Sequence, residues 1–294
     1  MSAKTTLFKG VATAIVTPFR DGGIDYESFG NLIDFQIENQ ADAIVVLGTT
    51  GESATVSESE RYEIIAFAKR RIDKRIPLIV GSGTNNTQVS LRYSKSAQSQ
   101  GADGLLIVTP YYNKATERGL IEHFSIIAKN VSIPIILYNV PSRTGVNIPI
   151  SVYKALSSIE NIVAVKEASG NVATASQIIH ACNDSYDVYS GCDDLILPIL
   201  SLGGKGVISV VSNAIPQLIH TLCHQFFQGN HKEAAKLQLY LTPLITEMFA
   251  EVNPIPIKTA LSLLGKIQNE FRLPLCGSTR TDSVEAILKQ YNLL

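Results

Sequence analysis

Lys166 closes an otherwise apolar run, Ile162-Val163-Ala164-Val165-Lys166, and Glu167-Ala168-Ser169-Gly170-Asn171 follows at once. A lysine so placed is either a charge reaching water or an enclosed amine able to act as a nucleophile. Other chemistry-bearing residues also stand just after short β-branched runs. Gly48-Thr49-Thr50-Gly51-Glu52-Ser53 offers N–H and O–H donors that could cradle a carboxylate, or simply a strand-to-helix turn with a hydroxyl cap. Tyr111 and Tyr112, in Thr109-Pro110-Tyr111-Tyr112-Asn113, are phenols that relay protons or aromatics that cover a core. Arg143, in Tyr138-Asn139-Val140-Pro141-Ser142-Arg143-Thr144-Gly145, is a solvated charge or a bidentate carboxylate clamp. An amine, phenols, hydroxyls and a guanidinium are the groups that imine chemistry on a carboxylate-bearing carbonyl compound uses.

The β-branched runs that would carry these groups recur at Val11–Thr17, Ala43–Leu47, Leu78–Gly81, Gly104–Thr109, Ile133–Tyr138, Ile162–Lys166, Asp187–Ser190 and Gly206–Val210. Segments of helical periodicity separate them, among them Tyr26–Asn39, Glu58–Arg71, Glu117–Lys129 and Asp194–Leu202. Ser57 and Glu60 form a capping-box pattern at one helix start. Eight strands alternating with helices predict an α/β chain, a parallel (β/α)8 TIM barrel closed by a helix over Pro216–Phe227. The barrel is expected over residues 1–229, and a small C-terminal α-helical domain over 230–294, broken at Asn253-Pro254-Ile255-Pro256. In such barrels the reactive groups sit at the C-terminal strand ends, which is where Lys166 and the polar segments above fall. Lys205 precedes the last strand and belongs to the opposite face, while Lys258 is expected away from the mouth. Gly203-Gly204-Lys205-Gly206 lacks phosphate-loop spacing and reads as a tight turn.

Composition narrows the classes. The 294 residues are 45% hydrophobic and 17% charged with a net charge of −1, so nothing marks nucleic acid or a membrane surface as partner. No stretch approaches the roughly 18 apolar residues of a membrane span, and Met1–Gly10 has no signal-peptide shape, so a cytoplasmic setting is expected. Cys182, Cys192, Cys223 and Cys276 lie far apart and are expected to be small core or helix residues. His220 and His224 share a helix face, but no strand end carries a His-x-His pair, so no metal is expected.

Taken together, Gly48–Ser53, Thr109–Asn113, Tyr138–Gly145, Val165–Gly170, Gly203–Ser209, Asn253–Lys258 and Arg272–Leu275 resemble the dihydrodipicolinate synthase (4-hydroxy-tetrahydrodipicolinate synthase) family. This family belongs to the pyruvate-dependent class I aldolase group that also contains N-acetylneuraminate lyase. The resemblance implies that Lys166 forms a Schiff base with pyruvate, with no cofactor beyond that lysine. It implies that Thr50 and its neighbouring amides hold the pyruvate carboxylate. Tyr138 is then the proton donor and acceptor, linked through Thr49 to Tyr112, which reaches in from an adjacent subunit. Arg143 binds the carboxylate of L-aspartate 4-semialdehyde, and Gly191 and Ile208 line the pocket. A homotetramer built as a dimer of dimers, at least a dimer, and a place in diaminopimelate and lysine biosynthesis also follow from the resemblance.

The family's lysine effector site maps to Ser53, Ala54, Glu58, Arg61, Asn85, Val89 and Tyr111. Glu58 and Arg61 replace histidines there, and Val89 replaces the acid that holds the effector's amine. Loss of a charge-assisted bond of roughly 1.5–3 kcal/mol implies weak or absent lysine inhibition. The nearest rival reading is a Schiff-base aldolase or lyase acting on a sugar acid or an aromatic aldehyde. A non-catalytic keto-acid sensor and a metal-dependent hydrolase stand further off.

Overall fold

The computed structural model describes residues 6–182 and 185–294, so residues 1–5 of the expected barrel segment lie outside the described residues. Eight parallel strands form a closed barrel: β1 (Gly10–Ala14), β2 (Ala43–Val46), β3 (Leu78–Gly81), β4 (Gly104–Val108), β5 (Ile135–Asn139), β6 (Ile162–Glu167), β7 (Asp187–Ser190) and β8 (Gly206–Ser209). Each strand pairs with its sequence neighbours, and β8 closes on β1 through Gly10–Gly206 to Thr13–Ser209. The helices after the strands include α1 (Tyr26–Glu38), α2 (Glu58–Ile72), α3 (Thr87–Ser99), α4 (Glu117–Ala128), α5 (Ile150–Leu156), α6 (Val172–Cys182), α7 (Ile196–Ser201) and α8 (Pro216–Phe227). This is the (β/α)8 architecture expected from the alternation of strands and helices. The Ser57–Glu60 capping box is present in both directions at the start of α2.

Strand ends differ from the β-branched runs for local reasons. Ile133 stays outside β5, where Pro134 has no N–H to donate to a ladder. Ile15 and Val16 are buried yet lie past the end of β1. The Val16 N–H turns to the Asn213 side chain, which also donates to Ala14 O and so clips β1 to the turn after β8. A two-stranded hairpin, Phe19–Arg20 with Gly23–Ile24, was not foreseen, because each strand is only two residues long.

Two apolar layers follow from the period-two alternation of strands. Ile44, Val80, Leu105, Leu137, Val165 and Val207 face the helices, while Ala12, Val45, Ile79, Leu106, Ile136 and Ile208 fill the barrel. In β6 this alternation is reset. The register slips so that Ile135 opposes Ile162 while Ile136 opposes Ala164, which leaves Val163 as the extra residue of a bulge. Val163 and Ala164 therefore both join the interior cluster, and Val165 turns outward. Lys166 then falls on the inner face.

Beyond α8 the chain forms α9 (His231–Met248), α10 (Ile255–Leu263) and α11 (Thr281–Gln290), with α9 packed on α8. The expected break lies between α9 and α10, and Pro256 occupies the first turn of α10 without loss of a helix bond. Contrary to the sequence reading, Lys258 is not remote from the mouth. It is 0% exposed, and its Nζ lies 2.5 Å from Glu52 Oε1, in the loop after β2. Phe19 and Phe271 flank the ammonium at 4.3 and 4.8 Å from their ring centroids. Burial pushes the Lys258 pKa down and the Glu52 carboxylate opposes that. Arg272 adds a second tie, bonding both Glu60 carboxylate oxygens and the Thr55 carbonyl.

Two of the four cysteines also depart from expectation. Cys182 and Cys223 are buried in helices, but Cys192 is half-buried at the mouth and Cys276 is exposed in the irregular segment before α11.

Removing one partner of a buried ion pair leaves the other as an uncompensated charge. Lys258→Met is expected to lower the unfolding free energy by about 3–5 kcal/mol, measured by urea denaturation. Adding Glu52→Gln to that variant is expected to restore most of the loss.

Candidate active site

The inward turn of β6 brings Lys166 against Tyr138, its direct register partner on β5. Lys166 is 5% exposed, and its Nζ lies 4.4 Å from the centroid of the Tyr138 ring. One residue further on, Asn139 and Glu167 form the same cross-strand pair on the outer face, with Asn139 Nδ2 donating to Glu167 Oε2 at 2.9 Å. Glu167 also accepts from the Ser169 N–H. These bonds hold β5 and β6 together where Tyr138 and Lys166 face inward.

The lysine stem has room because residue 191 is glycine. A Cβ there would lie 2.5 Å from Ala168 Cβ and 3.0 Å from Lys166 Cε. The Gly191 N–H donates to Glu167 O at 2.7 Å, which ties this glycine to the strand carrying the lysine. Ile208 is fully buried on β8 and shares the interior cluster with Tyr138. Asp193, fully buried just beyond, accepts from Ser209 Oγ and from the Val210 N–H. Burial pushes the Asp193 carboxyl up, while those hydrogen bonds and the charge of Lys166 act in the opposite direction. Burial likewise pushes the Cys192 thiol up to about 11, which keeps it protonated and a poor nucleophile at neutral pH.

Across the mouth lies the loop after β2. Leu47 and Glu52 both adopt left-handed backbone conformations, with φ of 57° and 52°. Gly51 fits closely between them, since a Cβ there would lie 3.2 Å from Ile15 O. Thr50, 2% exposed, accepts a 3.0 Å hydrogen bond from Asn253 Nδ2. Arg143 is exposed in a one-turn helix, Pro141–Thr144, and its Nη2 donates to Asn253 O at 3.0 Å.

The remaining residues singled out from the sequence are less tightly gathered. Thr49 is half-buried, and among the described residues no hydrogen bond joins it to Tyr138 or Tyr112. Tyr112 is 91% exposed at φ 71°, so within one chain it extends into solvent. Tyr111 beside it is also exposed. In the effector region, Glu58 is bonded to Arg92 through both carboxylate oxygens. Arg61 is buried: it donates to Gly81 O at 2.5 Å and Ser53 O at 3.4 Å, and it stacks 4.3 Å from the Tyr93 ring centroid. Ala54 is exposed, whereas Ser53, Asn85 and Val89 are half-buried. His220 and His224 stack at 5.6 Å, with His220 Nδ1 3.4 Å from Asp42. Among the described residues no group of three or more His, Cys, Asp or Glu side chains could hold a metal ion.

Sequence reasoning placed Glu52 and Asp193 in strand-end segments without a role for either, and missed the contacts of Asn253 with Thr50 and of Lys258 with Glu52. Glu52 and Asp193 each stand within two residues of a chosen position. Asn253 and Lys258 lie more than 200 residues from Thr50 and Glu52 along the chain, and no local pattern reports such a contact.

The dihydrodipicolinate synthetase family model matches residues 7–291. The chain belongs to this family. A 4-hydroxy-tetrahydrodipicolinate synthase of Clostridium acetobutylicum is 48% identical over 291 residues, covering 98% of this chain and 99% of the relative. The crystal structure of the Thermotoga maritima dihydrodipicolinate synthase superposes with a TM-score of 0.97 at 42% identity, covering 98% of this chain and all of that one. The chloride-inhibited Acinetobacter baumannii enzyme, solved with pyruvate, gives 0.95 at 39% identity, again over 98% of this chain and all of that one. The family is one of enzymes, and the family fold places the Lys166 strand end at the catalytic face of the barrel.

The close fit at residue 191 carries a prediction. Gly191→Ala is expected to displace the Lys166 side chain and slow its capture of a keto acid by about a hundredfold, the scale of a 1 Å misplacement. Borohydride trapping rates would measure this, with circular dichroism showing an intact barrel.

Proposed function

We propose that this chain is a 4-hydroxy-tetrahydrodipicolinate synthase that condenses pyruvate with L-aspartate 4-semialdehyde through an imine on Lys166. The observation that carries this reading is the enclosed Lys166 amine at a barrel strand end, against the Tyr138 ring and opposite the Thr50 loop. The full-length likeness to relatives bearing that name, one of them solved with pyruvate, supports it.

The steps follow from the groups present. The neutral Lys166 amine attacks the ketone carbon of pyruvate, and water leaves as a proton is delivered to the carbinol oxygen, with Tyr138 as donor. The resulting imine withdraws electrons from the adjacent methyl, which loses a proton to give an enamine. That carbon forms the new bond to the aldehyde carbon of the semialdehyde. The amine of the bound chain then displaces Lys166 by transimination and closes the ring, which returns the lysine. Thr50 and the amides around it hold the first carboxylate, and Arg143 holds the second. No cofactor takes part. Tyr112, exposed in one chain, joins the proton relay through Thr49 when a second copy packs against the mouth, so the active unit is at least a dimer.

Sodium borohydride with pyruvate is expected to add a reduced three-carbon adduct to the peptide carrying Lys166, and Lys166→Ala to abolish it. An unmodified wild-type peptide under saturating pyruvate overturns the reading.

Inhibition by lysine is weak on this reading. Glu58 is engaged with Arg92 and Arg61 with main-chain carbonyls, and Val89 offers no charge to an ammonium. Half-inhibition is expected only above about 1 mM lysine, where binding is worth no more than about 4 kcal/mol. A steady-state titration giving sub-millimolar half-inhibition contradicts this.

A further inference from the structure

We propose that Asn253, contributed by the segment before α10, is a positioning residue for both carboxylate-holding groups, acting on pyruvate through Thr50. The inference rests on the assignment of Thr50 to the keto-acid carboxylate made above. Asn253 is 7% exposed and reaches two sides of the mouth at once. Its side-chain Nδ2 donates to Thr50 Oγ1 at 3.0 Å, and its main-chain oxygen accepts from Arg143 Nη2 at 3.0 Å.

The direction of the first bond matters. A hydroxyl has one proton and two lone pairs, and an amide N–H can only donate. With Nδ2–H on a lone pair of Thr50 Oγ1, the threonine proton remains free to donate, and among the described residues no protein acceptor takes it. An anionic carboxylate is the acceptor such a donor suits. The second bond fixes Arg143, an exposed side chain on a different loop, relative to the same residue. The two carboxylate-holding groups are thereby referred to one point.

That point is itself held. Lys258, five residues on, is locked to Glu52, which stands two residues after Thr50. A buried side chain whose amide donates to the Thr50 hydroxyl, while its main-chain oxygen holds Arg143, fits a positioning role.

The test is a set of four variants with both substrate constants measured: Asn253→Ala, Asn253→Asp, Thr50→Val, and Asn253→Ala with Thr50→Val. Asn253→Ala keeps the main-chain carbonyl under Arg143 but removes the donor to Thr50. It is expected to raise the pyruvate half-saturation, read both from KM and from borohydride trapping, by about tenfold, the span of one lost hydrogen bond near the top of its range. The semialdehyde KM is expected to stay within about twofold and kcat within about threefold, changes worth less than a single hydrogen bond. Asn253→Asp accepts the threonine proton and adds a negative charge, so a larger rise than for alanine is expected. The double variant is expected to match Thr50→Val alone, because Asn253 acts on pyruvate through that hydroxyl.

An unchanged pyruvate half-saturation in Asn253→Ala overturns the proposal, as do effects of Asn253→Ala and Thr50→Val that simply multiply. Equal losses for both substrates would mark Asn253 as structural and also overturn it. If Asn253→Ala does not fold, Asn253→Asp carries the comparison, and failure of both to fold assigns a structural role instead. Absence of trapping in the wild type would defeat the reading of Thr50 itself. Trapping in the wild type with no shift in Asn253→Ala defeats only this inference.

Discussion

Everything at the mouth depends on which way one side chain points, and a β-strand allows only two answers. Alternation puts successive residues on opposite faces, so an uninterrupted β6 with Val163 inside would put Lys166 among the helices. The bulge at Val163 shifts the phase by one residue and returns Lys166 to the barrel interior. The paired residues Asn139 and Glu167 then hold the two strands level on the far side. The closed ladder makes the setting rigid, because a strand bonded on both edges cannot rotate without breaking both sets of hydrogen bonds.

A lysine turned inward needs space and neighbours that tolerate an amine. Gly191 gives the space by lacking a side chain where the lysine stem passes. The Tyr138 ring gives an aromatic face toward which either the ammonium or the amine can lie. Asp193 is close enough for its charge and that of Lys166 to influence one another, yet it is spent on Ser209 and Val210 rather than on a salt bridge with the lysine. The contrast with Lys258 is instructive: that lysine has its carboxylate at 2.5 Å and is committed to structure.

The barrel was legible because its signals are local and repeated. Each strand is a short β-branched run, each helix has a 3.6-residue period, and Ser57–Glu60 marks a helix start within four residues. Strand-end positions of Lys166, Tyr138 and Gly191 followed from that count, although the bulge that aims Lys166 inward leaves no mark in Ile162–Lys166. Boundaries failed where a single atom decides them, as at Pro134 with its missing N–H and at Val16 with its bond to Asn213. The contacts of Asn253 with Thr50 and of Lys258 with Glu52 failed for a different reason. They join segments more than 200 residues apart, and periodicity describes faces of elements rather than partners across the fold. A single chain leaves Tyr112 in solvent, so the topology of one copy gives it no partner to read.

The C-terminal helices therefore do more than cover a barrel. Loops at the mouth of a (β/α)8 barrel carry the chemistry but have little packing of their own to hold them. A buried ion pair gains little net stability over apolar packing, since desolvation offsets most of its attraction. What the Glu52–Lys258 pair does supply is a unique distance and direction, because an unpaired charge in that position is strongly disfavoured. With Arg272 on Glu60 and Thr55 as a second tie, α10 and the segment after it hold the loop after β2 at its middle and at its junction with α2. Asn253 bonds both Thr50 and Arg143, so the spacing of that hydroxyl and that guanidinium is set by the C-terminal segment and not by the barrel alone. In this chain the strands place the Lys166 amine, and the chain beyond the barrel places the Thr50 hydroxyl and the Arg143 guanidinium.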